Sequence, residues 1–120
     1  MLFRSRLTTQ QFVATEEYRA LGEVGLLMVD GWHTAEQARF DHEAFADRLA
    51  PDAVTLFHDS VRRRESRFYG DDAAYEHTVC LYMDELRRDP GLELLALPFG
   101  SGVTLVRGRP QGHAPSGPLA

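Results

Sequence analysis

The chain has 120 residues, a formal net charge of -5 and 13 basic side chains, all of them arginine; that length suits one small domain burying about two thirds of its unfolded surface. The acidic balance excludes a general nucleic-acid surface and favours a small-molecule or protein partner, with Arg62-Arg63-Arg64 only a local basic patch. A single cysteine, Cys80, excludes an internal disulfide, no apolar run approaches the roughly 20 residues of a membrane span, and Met1-Leu2-Phe3 meets Arg4 and Arg6 without the apolar core of a secretory signal, so the expected location is cytoplasmic.

Thr8-Thr9-Gln10-Gln11 has the spacing of a capping box, and Ala14, Tyr18 and Leu21 follow at helical intervals, which predicts a first helix over 9–21 stopped by Gly22. Gly25 to Val29 is a continuous apolar run, read as a buried strand, and it ends in Asp30-Gly31-Trp32-His33. Thr34-Ala35-Glu36-Gln37 repeats the capping pattern, Ala38, Phe45 and Leu49 form an inward stripe, and Pro51 closes a second helix over 35–49. Val54 to Phe57 reads as another buried strand, ending in His58-Asp59-Ser60. The stretch 62–72 is charged and irregular, after which Tyr75, Val79, Tyr82 and Leu86 recur with helical spacing up to Asp89-Pro90-Gly91, a third helix. Leu92–Leu97 and Gly102–Val106 are short strands joined by Pro98-Phe99-Gly100-Ser101 in a hairpin-like turn, and 108–120, rich in Pro, Gly and Ser, reads as a disordered tail behind a domain over 1–107.

The order is that of an α/β protein with two parallel strands and a closing antiparallel pair, helices covering both faces of the sheet. Open α/β sheets place their sites at the carboxyl ends of parallel strands, so Asp30, His33, His58 and Asp59 are expected to face one crevice.

A strand ending Val-Asp-Gly-x-His, a capped helix carrying Asp41, a strand ending Phe-His-Asp-Ser and a closing Pro-Phe-Gly-Ser-Gly-Val strand together resemble the class I S-adenosylmethionine-dependent methyltransferases, in particular the Asp-Gly-x-His branch with its metal-dependent sugar and macrolide O-methyltransferases. The resemblance spans about residues 8–107 and implies a Rossmann-like sheet of which this chain carries the acceptor-side half. It implies that Asp30 and Asp59 hold Mg²⁺ or a similar divalent cation against the acceptor's hydroxyl, with His58 as a further ligand where Ser60 replaces the Asn of catechol-type members. His33 matches the position of the base.

Each residue also has a plainer reading: His33 as a cap of the second helix, His58 as a structural hydrogen-bonding residue, Asp41 as an acceptor of loop N–H groups, Trp32 as a cover of the sheet, Cys80 as packing. The cofactor half of such a fold needs a strand followed by a glycine-rich turn. No Gly-x-Gly occurs before Gly25, so the S-adenosylmethionine site is expected outside these residues and the chain reads as truncated or split. Strand 25–30 would then be an open edge, and such an edge invites self-association or a partner chain. Two function classes follow: an O-methyltransferase acting on a hydroxyl of a small molecule such as a sugar or polyketide, or a non-catalytic methyltransferase-like remnant serving as an interaction module. A metal-dependent hydrolase using the same acids and histidines has no motif to position a nucleophile.

Overall fold

The structure, a computed structural model, describes residues 4–67, 70 and 75–110. Among these residues the chain forms α1 (Thr9–Phe12), α2 (Glu16–Arg19), β1 (Val24–Val29), α3 (Ala35–Ala46), β2 (Leu49–His58), β3 (Arg64–Ser66), β4 (Tyr75–His77), α4 (Val79–Leu86), β5 (Leu92–Leu97) and β6 (Val103–Gly108). The main sheet has the order β1-β2-β6-β5, with β1 parallel to β2 and the other pairings antiparallel. This is the expected α/β layout of a parallel pair closed by a hairpin. No helix among the described residues is long and apolar enough to cross a membrane.

Three expected boundaries move. The first helix is two single turns, because the Thr15 hydroxyl donates to the Phe12 carbonyl and accepts from the Tyr18 amide, ending one turn and capping the next. The Thr8–Gln11 capping box is present as read. The second helix stops at Ala46 rather than 49, since Leu49 already pairs with Val24 in the sheet. Pro51 therefore lies in β2, within the irregular stretch between the Val24 and Leu26 pairings, where its missing N–H costs no ladder bond. The third helix begins only at Val79, while Tyr75–His77 pairs with Arg64–Ser66 as a small antiparallel sheet in a region expected to be helix and irregular chain. Gly108 ends β6, and 111–120 of the expected tail lie outside the described residues.

Period-two burial along the strands shows which face is covered. Val29, Phe57 and Val106 pack with Ala38 of α3 and Val79, Tyr82 and Met83 of α4 in one apolar core. Leu27, Leu92 and Leu94 join them, so α3 and α4 both lie on one face. On the opposite face Met28 pairs with Leu56, Leu56 with Leu105 and Leu105 with Leu95, an apolar row across all four strands. Leu26, Met28 and Leu95 are about 60% exposed there (62%, 61% and 58%). The expectation of helices over both faces is thus corrected: among the described residues the two longer helices share one face, because the inward stripe of each is directed at the same core. The small helices α1 and α2 sit against α3, through the rings of Phe12, Tyr18 and Phe45 and a hydrogen bond from the Tyr18 hydroxyl to the Ala44 carbonyl.

The β5–β6 turn is locked onto the end of β2. Ser60 and Val61 donate their amides to the carbonyls of Gly102 and Ser101. Gly102 has φ +92° and a Cβ there would lie 2.2 Å from the Val61 side chain. Gly102→Ala should therefore destabilise the protein by about 2–3 kcal/mol, from left-handed strain plus overpacking, measurable by urea denaturation. On α3, burial lowers the pKa of His42, against a smaller opposing pull from Glu43, while Tyr82, pushed up to about 12 by its own burial, keeps its hydroxyl proton 2.8 Å from His42 Nδ1. A histidine whose folded pKa is depressed contributes stability that is full above its unfolded pKa of about 6.5 and is lost as pH falls from there towards the folded value. The midpoint of thermal unfolding should accordingly drop between pH 7.5 and 5.5, and His42→Gln should flatten part of that slope.

Candidate functional site

Two parallel strands in register deliver the site. Val29 pairs with Phe57, so Asp30 and His58 follow at the same level on neighbouring strands, and the Gly31-Trp32 turn returns His33 over them. Asp59 leaves β2 with φ +49°, the left-handed region that a short polar side chain tolerates best among residues with a Cβ. That turn carries its carboxylate inward, where it is 4% exposed.

Four nitrogens surround one oxygen of this carboxylate. Asp59 Oδ2 lies 3.1 Å from His33 Nδ1, 3.3 Å from His58 Nδ1, 3.3 Å from His77 Nδ1 and 3.4 Å from an Arg64 guanidinium nitrogen. Asp30 Oδ1 approaches the same group from the solvent side, 3.0 Å from His58 Nδ1 and 3.8 Å from His33 Nε2. The four residues singled out in the sequence do converge.

Electrostatics separate the members. Burial pushes the Asp59 carboxyl up, but a hydrogen bond with the Ser101 side chain and the positive fields of His58, His33 and Arg64 outweigh it, so its pKa lies below the ordinary carboxylate value. The pKa of His77 is pushed down, by burial first and then by His33 and Arg64, with Asp59 opposing. His77 is 2% exposed, and neither ring nitrogen makes a hydrogen bond to the described residues: Nδ1 is near Asp59 but off the hydrogen-bonding direction. His58 Nδ1 is likewise buried without a directed hydrogen bond. A buried polar atom without a partner is costly and calls for an explanation.

A column of rings leads from solvent to this centre. Trp32 stacks on Tyr75 (centroids 3.9 Å apart), Tyr75 on His77 (5.0 Å) and His77 on His33 (4.6 Å, planes within 3°). The small sheet β3–β4 thus supplies Arg64, Tyr75 and His77, none of which the sequence reading brought to the site. The available signal was Thr78, a helix-capping residue type immediately after His77. Its hydroxyl accepts the Ala35 amide and its own amide donates to the His33 carbonyl, tying the start of α4 to the start of α3.

The remaining candidates fall outside. Thr34, not His33, caps α3 through the Gln37 amide. Asp41 accepts from the Gln37 side chain at 2.7 Å, in a hollow between α1 and Gly31-Trp32. Ser60 is buried, with its hydroxyl 2.7 Å from that of Thr104, so it braces β2 against β6. Arg63 pairs with Glu76, leaving Arg64 as the member of the arginine run that reaches the site. Cys80 is a half-buried free thiol in α4.

Residues 4–60, just under half of the chain and the segment carrying Asp30, His33, His58 and Asp59, match the sequence profile of a family described as a methyltransferase domain. The structure is similar to that of the SAH-bound methyltransferase PaMTH1 from Podospora anserina, with a TM-score of 0.56 and 18% sequence identity over 87% of this chain and 47% of that one. No protein of curated function matches the sequence significantly. The chain spans about half the length of the solved methyltransferase and shares its α/β fold over that half, and the segment matching the methyltransferase-domain profile carries Asp30, His33, His58 and Asp59.

Proposed function

We propose that the protein takes part in S-adenosylmethionine-dependent O-methylation of a small molecule, such as a sugar or polyketide hydroxyl, in the cytoplasm. The observation that carries this reading is the convergence of Asp30, His33, His58 and Asp59 at the carboxyl ends of adjacent parallel strands in a methyltransferase-type sheet. His33 is the proton acceptor: a proton on Nδ1, 3.1 Å from Asp59 Oδ2, leaves the Nε2 lone pair on the side of Asp30, where an acceptor hydroxyl would sit. Asp59 fixes this tautomer and stabilises the imidazolium that follows, the part an orienting carboxylate plays beside any histidine base. The close approach of His58 Nδ1 to Asp30 and Asp59, and its lack of a hydrogen bond, fit a divalent cation held by these three side chains. When bound, S-adenosylmethionine supplies an electrophilic methyl group and the cation lowers the acceptor hydroxyl's pKa. The cofactor's own strands would come from outside these residues.

Transfer of labelled methyl from S-adenosylmethionine to a panel of hydroxylated sugars and polyketides, with and without Mg²⁺, tests the reading. His33→Ala should lower kcat by about 10²–10⁴-fold with KM little changed, and Asp30→Asn should remove the Mg²⁺ dependence. An unchanged rate in His33→Ala would overturn the assignment of the base. Absence of both methyl transfer and saturable S-adenosylmethionine binding would overturn the function.

A second reading, an interaction module, is favoured by the open face of the sheet. The row Met28–Leu56–Leu105–Leu95 and the outer edge of β1, which pairs with no further strand among the described residues, present apolar surface and backbone groups together. The partner is a second copy of the chain or a polypeptide supplying further strands. Light scattering should report a dimer or larger species, and Met28→Glu should shift it towards monomer; a monodisperse wild-type monomer would exclude self-association.

A further inference from the structure

We infer that His77 is a positioning residue for His33: the face of its ring, and neither of its nitrogens, fixes the plane of the imidazole that serves as the base. The inference rests on the methyl-transfer reading for its kinetic consequence, while the brace itself is observable in the resting protein.

Three observations carry it. The rings of His33 and His77 stack with centroids 4.6 Å apart and planes within 3°, and Tyr75 stacks on His77 in turn at 5.0 Å and 22°. Asp59 Oδ2 is 3.1 Å from His33 Nδ1 and 3.3 Å from His77 Nδ1, but one oxygen cannot lie in two separated, nearly parallel ring planes. His77 is the ring that gives way: it is 2% exposed, and neither nitrogen makes a directed hydrogen bond among the described residues. A histidine buried at that cost without using its nitrogens is held for its flat face. The next residue grips the main chain of the same partner, since the Thr78 amide donates to the His33 carbonyl at 2.9 Å and the Thr78 hydroxyl accepts the Ala35 amide at 2.9 Å.

The physical need is rotational. The torsion that sets an imidazole plane is broad, so a single contact at Nδ1 places one atom of His33 and leaves the ring free to pivot about it. A parallel ring against its face removes that freedom, and the Thr78 bond fixes the backbone from which the side chain springs. His33 Nε2, 3.8 Å from Asp30 Oδ1, is then held on the acceptor side. Misplacing a reacting group by about 1 Å can cost about 10²-fold in rate, so a ring that pivots loses turnover while the groups that bind the acceptor stay in place. His77 is delivered by β4, which pairs it with Arg64 of β3, so the small sheet is the arm that carries the brace.

Proton NMR of the histidine rings, alongside methyl-transfer kinetics, tests the inference. In the wild type the His33 ring protons should be shifted upfield by the ring current of the stacked His77. His77→Phe, which keeps a flat face and has no nitrogen, should keep that shift; His77→Leu, which fills the space without a flat face, should lose it. In His77→Leu kcat should fall about 10- to 100-fold with KM little changed, and His77→Phe should return it towards the wild-type value. Circular dichroism checks folding; should His77→Leu unfold, the wild-type and His77→Phe spectra still decide. His33 ring protons at ordinary positions in the wild type overturn the brace, with or without measurable transfer. So does a His77→Phe variant as impaired as His77→Leu, which would assign the effect to the nitrogen beside Asp59. Full kcat in folded His77→Leu while His33→Ala is inactive overturns the brace and leaves the base reading standing, whereas full activity in His33→Ala overturns both.

Discussion

Everything at the strand ends depends on one buried carboxylate. Asp59 is nearly sealed from solvent, sits on a left-handed backbone and gathers three imidazoles and a guanidinium around a single oxygen. An isolated buried anion is costly, so the surrounding nitrogens are a condition of its burial as much as ornaments of the site. They arrive from four places in the chain: His58 from its own strand, His33 from the loop after β1, Arg64 from β3 and His77 from β4. The carboxylate thus ties the small β3–β4 sheet to the main sheet, and the left-handed turn that aims it is held in turn by the Ser60 and Val61 amides on the β5–β6 turn.

The second organising fact is the asymmetry of the sheet. One face is closed by α3 and α4, with Phe57 and Met83 wholly buried between the layers. The other carries a row of aliphatic side chains from edge to edge. Strands of an α/β sheet that read as unbroken apolar runs are built for burial on both sides, and here residues 26–29 and 54–57 have that composition while only alternate side chains are covered. The row Met28–Leu56–Leu105–Leu95 is the uncovered half of that pattern among the described residues.

The parts legible in the sequence were those decided by local composition. Apolar runs ending in Asp-Gly-Trp-His and His-Asp-Ser placed β1, β2 and four site residues, because a strand's length and its terminal polar residues are written contiguously. The β5–β6 hairpin was legible for the same reason. His77 was not, since Tyr75, Val79, Tyr82 and Leu86 keep a helical interval straight across a strand-to-helix junction. What pulls Tyr75 and His77 out of the helix is stacking on Trp32 and His33, more than 40 residues earlier in the chain, and no local period encodes that. The first helix failed in the opposite sense: its apolar spacing was real, but the Thr15 hydroxyl offered the backbone a stop and a restart within one residue.

The ring column has a consequence of another kind. The chain contains one tryptophan, and it is the outermost ring of the column, half exposed and in contact with Tyr75, while the innermost ring lies against Asp59. Its indole emission, quenched or released by the stack beneath it, makes the protein its own optical gauge of whether β3–β4 is docked on the strand ends, readable at sub-micromolar concentration without any label.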